Sequence, residues 1–216
     1  MIQLSLDNAH KYVLQTLDEL KNLEDDTMLV EGEELDTRKL TEGYIIEAVL
    51  RAHKDAPSYL VDGVTGVKEV DYSVTITDNV AKIIMLQKSA RLASLKASDS
   101  HVVVTDHAAE ESTIGRMQNN PYVRGTYDDP RLIVKKVWAD DYKPEYLYYS
   151  VNDNTTTFTL EYVPYPEIKD GAVSISEKLE YAVLNLLVAM VLDALSLNDK
   201  ANLYRTKYQE YLQTAR

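Results

Sequence analysis

Four histidines, at positions 10, 53, 101 and 107, carry most of the chemical options of this chain. His101 and His107 flank Asp106 in HVVVTDHA, and two imidazoles beside a carboxylate can in principle ligate a metal. No HExxH or other ordered ligand series accompanies them, so they are read as surface or capping histidines and no metal site is expected. Serines, histidines and aspartates are all present, but no Gly-X-Ser-X-Gly elbow frames a nucleophile. Gly63-Val64-Thr65-Gly66 lacks the Gly-Lys-Ser/Thr ending with which a P-loop holds phosphate and magnesium, and is read as a turn. The runs Glu24-Asp25-Asp26 and Glu110-Glu111 lack the ligand pattern of a calcium loop and read as solvated faces. The chain has no cysteine, which excludes disulfides, thiolate catalysis and cysteine-ligated metals. No catalytic, cofactor-binding or metal-binding residue is assigned, and an enzyme built on Asp106 and His107 ranks below the non-enzymatic readings.

The remaining chemistry is that of contact. A formal charge of −12 opposes nucleic-acid binding, which draws its affinity from Lys and Arg neutralising phosphates. Sixteen tyrosines stand against one phenylalanine and one tryptophan, and a ring with a hydrogen-bonding tip suits half-buried surfaces and interfaces. The segment QNNPYVRGTYDDP, residues 118–130, sets two tyrosines and an arginine in a loop bounded by proline. Tyr122, Arg124 and Tyr127 are candidate interface anchors, because Tyr and Arg dominate interface hot spots. A well-ordered connecting loop is the alternative.

These residues need a scaffold, and periodicity outlines one. Residues 181–192 read YAVLNLLVAMVL, a helix apolar on every side, which other parts of the protein must enclose. It falls short of the roughly 20 residues of a membrane span. Ser174 and Glu177 form a plausible capping box at its start. Asn198-Asp199 is expected to break it and to cap a second helix striped by Tyr204, Tyr208, Tyr211, Leu212 and Ala215; its three tyrosines are further interface candidates. At the other end, Asp7 is expected to cap a helix carrying Val13, Leu17 and Leu20, with Leu6 as its staple. A second helix runs from about Asp36 or Thr37 to just before Pro57. Between these ends the period changes to two. Val70, Tyr72, Val74 and Ile76 alternate with polar residues up to an Asp78-Asn79 turn, which predicts a hairpin with 80–86. A second hairpin is predicted from 145–151 and 155–163, and one helix over 108–119. The fold class is therefore α+β: a helical bundle of N- and C-terminal helices with a mainly antiparallel β insertion. The divisions are 1–56, 57–171 and 172–216.

In combination, the paired N-terminal helices, the β region carrying QNNPYVRGTYDDP, the strand running into EYVPYP and the closing SEKLEYAVLNLLVAMVLDALSLNDKANLYRTKYQEYL resemble a known family. They are similar to the head-to-tail connector (adaptor or neck ring) proteins of tailed bacteriophages, and most of all to podovirus-type connectors with a β domain. That family typically ends in an apolar helix, a short break and a helix closing on Tyr-X-X-X-Leu. Here these are residues 179–197, Asn198-Asp199, and Tyr208 to Leu212. The central β region is longer than the family's.

The resemblance implies a structural virion protein at the head-tail junction, assembled in the host cytoplasm. It implies a homo-oligomeric ring, commonly a dodecamer, bound to the portal protein and to other tail or neck proteins, with neither cofactor nor membrane. DNA would pass through without specific binding, so the channel wall should be acidic. Glu24, Asp25, Asp26, Glu31, Glu33 and Glu34, the densest acidic stretch, are the candidates to face it. The alternative is a cytoplasmic, non-enzymatic protein-binding module. No secretory signal is visible, so the chain is expected to stay where it is made.

Overall fold

The computed structural model describes residues 1–22, 32–120, 122–135, 142–149, 155 and 157–215; the side chains of residues 21, 22 and 32–36 fall outside that description. In chain order the first elements are β1 (Ile2–Ser5), α1 (Leu6–Asn22), α2 (Gly32–Asp55), β2 (Val64–Thr65), β3 (Tyr72–Thr77), β4 (Val80–Met85) and β5 (Ser89–Ala97). Next come β6 (Ala108–Ala109), α3 (Thr113–Met117), β7 (Arg131–Val134), β8 (Glu145–Tyr149) and β9 (Phe158–Pro164). The chain closes with β10 (Ile168–Lys169), β11 (Ala172–Ile175), α4 (Glu180–Ala194) and α5 (Asn198–Thr214). The fold is mixed α+β, with five helices among the described residues and three sheets. It divides into two compact units, one of Met1–Asp62 with Pro166–Arg216, the other of Gly63–Tyr165. Among the described residues no helix is long and apolar enough to cross a membrane.

The first unit is built around α4. Its all-round apolar sequence has no solvent-facing side, and Val183, Leu186, Leu187, Val188, Val191 and Leu192 are buried against α5, α2 and α1. The one amide in the run, Asn185, donates through Nδ2 to the Tyr181 carbonyl at 2.7 Å, while its Oδ1 is buried without a hydrogen-bond partner. α4 stops where Ser196 takes a φ of +61°, and the Leu197 N–H returns to the Leu192 carbonyl at 2.9 Å, a left-handed helix ending. Leu197, not Asn198-Asp199, precedes α5; Asp199 lies in the first helical turn, where its charge complements the helix dipole. An Arg205–Asp193 ion pair ties the hairpin across.

Two start signals lie elsewhere than the sequence placed them. Ser5 Oγ, not Asp7, accepts from Asn8 N–H at 3.1 Å to open α1, and Asp7 instead pairs with Arg38. Ser174 lies in β11, paired with Gln3 of a strand, β1, that the sequence reading passed over. A hairpin through Asp170 and Gly171, both at positive φ, joins β10 to β11. α2 begins at Gly32, ahead of the expected start, and ends before Pro57 as read.

In the second unit a five-stranded sheet, β3-β4-β8-β7-β6, and a three-stranded sheet, β2-β9-β5, contribute to one core that includes Tyr72, Ile83, Leu95, Tyr146, Tyr148 and Leu160. The β3–β4 hairpin turns on Asp78 (φ 50°) and Asn79 (φ 61°), with Thr77 opposite Val80, the geometry a two-residue loop requires. The second predicted hairpin does not form. β8 pairs with β4 and β7, and β9 pairs with β5 and β2, so the two strands belong to different sheets. Alternation fixes which face of a strand is buried but not which strand lies beside it.

Nor is 108–119 one helix: Ala108–Ala109 pair in parallel with Ile133–Val134, and only Thr113–Met117 are helical. Ser112 Oγ, accepting from Gly115 N–H at 3.0 Å, starts the helix late. The 63–66 segment is an edge strand rather than a turn. A Cβ on Gly63 would lie 2.8 Å from Ala93 Cβ and 2.9 Å from Glu161 Cβ, so the absence of a side chain permits the close approach.

Candidate functional site

The described residues of the loop from Gln118 to Pro130 are braced by a set of side-chain and backbone bonds. Gln118 is buried and spans it: Nε2 donates to the Ile114 carbonyl at 2.9 Å and Oε1 accepts from Gly125 N–H at 2.8 Å. Asn120 organises the tip. Its carbonyl accepts from Val123 N–H (3.2 Å) and Arg124 N–H (3.0 Å), and its Oδ1 accepts from Tyr122 N–H (3.0 Å). Thr126 and Asp129 exchange two backbone bonds, and Arg131 pairs with Asp129. Gly125 is required at its position, since a Cβ there would stand 2.8 Å from the Arg131 nitrogen. The Tyr127 hydroxyl donates to the Asp99 carbonyl and its ring meets His101 edge-on, with centroids 5.8 Å apart.

What this bracing presents is Tyr122, 95% exposed, beside the exposed Val123. Ile114 and Met117, one helical turn apart on α3, are exposed as well. Of the three loop residues singled out in the sequence, Tyr122 is displayed, Arg124 is half-buried, and Tyr127 anchors the loop to Asp99 while keeping an exposed edge.

The α5 tyrosines are committed within the chain. Tyr204 and Tyr208 are only 5% and 4% exposed, which removes both from any contact surface of the folded subunit. Tyr208 Oη donates to Asp55 Oδ2 at 3.0 Å, and burial together with that carboxylate raises its pKa. Lys207 Nζ sits 4.2 Å from the Tyr204 ring centroid. Tyr211, half-buried, donates to the Lys178 carbonyl at 2.6 Å and packs against Tyr181. A stripe of tyrosines at helical spacing is here the packing face of α5. Of the acidic candidates, Glu24, Asp25, Asp26 and Glu31 lie outside the described residues. Glu33 and Glu34 fall in the first turn of α2, with side chains outside that description.

The chemically versatile residues lie beside this loop, His101 against Tyr127 and His107 on a cleft lined also by Ile114, Asp129 and Pro130. His107 lies against Tyr146, with ring centroids 5.9 Å apart; burial lowers its pKa, Arg91 lowers it further, and Asp106 opposes both. Its Nδ1 is buried with no hydrogen-bond partner. Arg91 is itself buried, which lowers its pKa, and the buried Tyr146 hydroxyl, whose pKa burial raises, accepts from Leu92 N–H at 3.1 Å. A cleft of about 290 Å³ opens beside His107 and Ile114. His101 and His107 face different tyrosines, and among the described residues no group of three His, Asp or Glu is arranged to hold a metal.

One pair that sequence reasoning missed is His53 with Ser176, brought together across 123 positions. His53 Nδ1 donates to the Val49 carbonyl at 2.9 Å, so Nε2 accepts, from Ser176 Oγ at 3.1 Å and from Ser176 N–H at 3.2 Å. Ser176 Oγ accepts in turn from Asp62 N–H at 2.9 Å. The pair has the form of a nucleophile and base, yet both side chains are fully enclosed. No substrate reaches them; they fasten the last turns of α2 to the end of β11. Nothing in the local sequence signals such a pair.

Compared with known proteins, the chain matches no family model, no curated protein and no solved structure.

Proposed function

We propose that this chain is a structural subunit that assembles through fixed protein contacts, specifically a head-to-tail connector ring of a tailed bacteriophage. The observation that carries the reading is Tyr122, almost wholly exposed at the tip of a loop held by the buried Gln118 and by Asn120. Because the backbone that carries the ring is braced, the cost of ordering the loop is met before any partner arrives and only the side-chain rotamer is left to fix, which is how an interface anchor gains affinity. In this reading the helices of both ends form one bundle, and residues 63–165 are an insertion that displays the contact loop. The ring binds the portal protein on one face and tail or neck proteins on the other. DNA passes through it without specific contacts, and the acidic stretch from Glu24 to Glu34 faces the channel. A cytoplasmic protein-binding module would present the same loop to a different partner.

Native mass spectrometry of the purified chain, alone and with portal protein, tests this. A ring-sized oligomer, or a portal-dependent assembly, is expected, and Tyr122→Ala with Arg124→Ala should abolish it while leaving the melting temperature of the subunit unchanged. A chain that stays below ring size under both conditions, or a loop variant that assembles as wild type, refutes the reading.

A further inference from the structure

Among the described residues, the outer edge of β3 is bridged only at Tyr72, by Lys68, and is unguarded from Ser73 to Thr77. β3 is the end strand of the five-stranded sheet and reads YSVTIT, six residues without a charge or a proline. Exposed edges ordinarily carry a lysine, a proline, a bulge or a cover, because their unpaired N–H and C=O groups are a template for another strand. Of the other outer strands, β2, β6 and β10 are two residues each, β5 is bulged and bonded to Val104, and β1, also without charge or proline, is four residues long, so β3 is the longest outer strand without such a guard among the described residues.

The hairpin fixes which groups of β3 point outward. Thr77 and Val80 flank the two-residue turn and so form a hydrogen-bonded pair, which directs Thr77, Thr75 and Ser73 at β4 and turns Val74 and Ile76 away from it. Tyr72 also turns outward, but its carbonyl already accepts from Glu69 N–H at 2.7 Å. No described residue bonds the outward N–H or C=O of Val74 or Ile76, and the Ile76 side chain is 42% exposed.

We infer that β3 pairs antiparallel with β3 of a second copy, about a two-fold axis at Thr75. The sequence around that residue is close to a palindrome: Ser73-Val74-Thr75-Ile76-Thr77. Read antiparallel against itself, it sets Val74 opposite Ile76, Thr75 opposite Thr75 and Ser73 opposite Thr77. These are the β-branched and hydroxyl cross-strand pairs that stabilise sheets, with no like charges opposed. Val74 and Ile76 of the two copies exchange four backbone bonds and join the sheets edge to edge. A partner of other sequence would fit the backbone equally well but would not meet its own residue types in register. This contact goes beyond the connector reading and does not rest on it. It is isologous and closes at two copies.

The chain lacks cysteine, so a single introduced one reports the contact without background. Opposed residues at a non-hydrogen-bonded antiparallel site have Cα atoms about 4.5 Å apart, within disulfide range. Thr75→Cys should therefore give a covalent dimer under mild oxidation. Thr77→Cys, on the same face but about 14 Å from its counterpart at ~3.4 Å per residue, should not. The cross-link should persist in the Tyr122→Ala/Arg124→Ala background. Thr75→Glu, which faces Lys82 within one chain but opposes a second carboxylate across the axis, should abolish dimer in sedimentation without lowering the melting temperature. Equal cross-linking of Thr75→Cys and Thr77→Cys, loss of the cross-link with the loop variant, or a Thr75→Glu dimer of wild-type strength would each overturn the inference.

Discussion

Leu187→Ala tests whether α4 is the enclosed centre of its unit. Leu187 is 0% exposed in the middle of a helix packed on α5, α2 and α1. Truncation removes three carbons, at about 0.8 kcal/mol for each buried methylene. To that is added a cavity term of about 24 cal/mol per Å³ for whatever volume the neighbours do not reclaim. The sum is about 3–4 kcal/mol, a large share of the 5–15 kcal/mol typical of a domain but short of all of it. The variant should fold and unfold early. Urea unfolding followed by far-ultraviolet circular dichroism is the assay, because four of the five described helices belong to the unit of 1–62 and 166–216. Leu187→Asp adds the desolvation of a charge with no partner and should yield no folded protein. A loss below about 1 kcal/mol for Leu187→Ala, or soluble folded Leu187→Asp, would mean that α4 is not enclosed as described.

Three further outcomes are expected. His107, whose pKa is lowered from 6.5 by burial, is protonated in the unfolded chain before the folded one. Its contribution is therefore complete above 6.5 and is lost as pH falls from there toward the lower folded value. Thermal melts should show the advantage of His107→Phe over wild type growing as the buffer is acidified, and a constant difference would refute the burial argument. Asn79→Gly should raise the melting temperature slightly, by about 0.5 kcal/mol of stability, because both turn residues sit at positive φ and glycine suits the second position. Gln118→Ala removes both bonds that span the loop, about 1 kcal/mol each; limited trypsin digestion should then cut after Arg124 faster than in wild type, and unchanged kinetics would mean that the tip is held by other means.

Legibility in the sequence followed the range of the interaction concerned. The enclosed helix at 181–192, the helical spacing of the α5 stripe (though not that Tyr204 and Tyr208 pack inward rather than face a partner) and the Asp78-Asn79 hairpin are local patterns, and the residues that make them stand within a few positions of one another. β8 and β9 were each recognisable as strands, but their neighbours are set by which sheet completes the core around Tyr148 and Leu160, a question of distant residues. β1 is four residues long and pairs with a strand near the other end of the chain, so nothing within Ile2–Ser5 announces it. At the candidate site, the residue types of 118–130 were informative while their exposure was not. Tyr122 and Tyr208 are the same residue type, and only packing separates a displayed ring from a buried one.

The two proposed contacts constrain each other through symmetry. A ring built by the Tyr122 loop uses a heterologous contact, which leaves the two ring faces different and so able to bind a portal on one side and a tail on the other. Pairing through β3 is isologous, and a two-fold axis lying across the ring would make its ends equivalent. On the connector reading the two ends must differ, so β3 pairing would belong to the chain before assembly and would be given up on ring closure. Such an exchange would also give the exposed edge a function: the YSVTIT strand would be covered by its own copy while subunits await a partner, instead of templating open-ended association. Native mass spectrometry across an assembly reaction should then show dimers consumed as rings appear. Rings that accumulate with the Thr75→Cys cross-link intact in every subunit would refute the exchange.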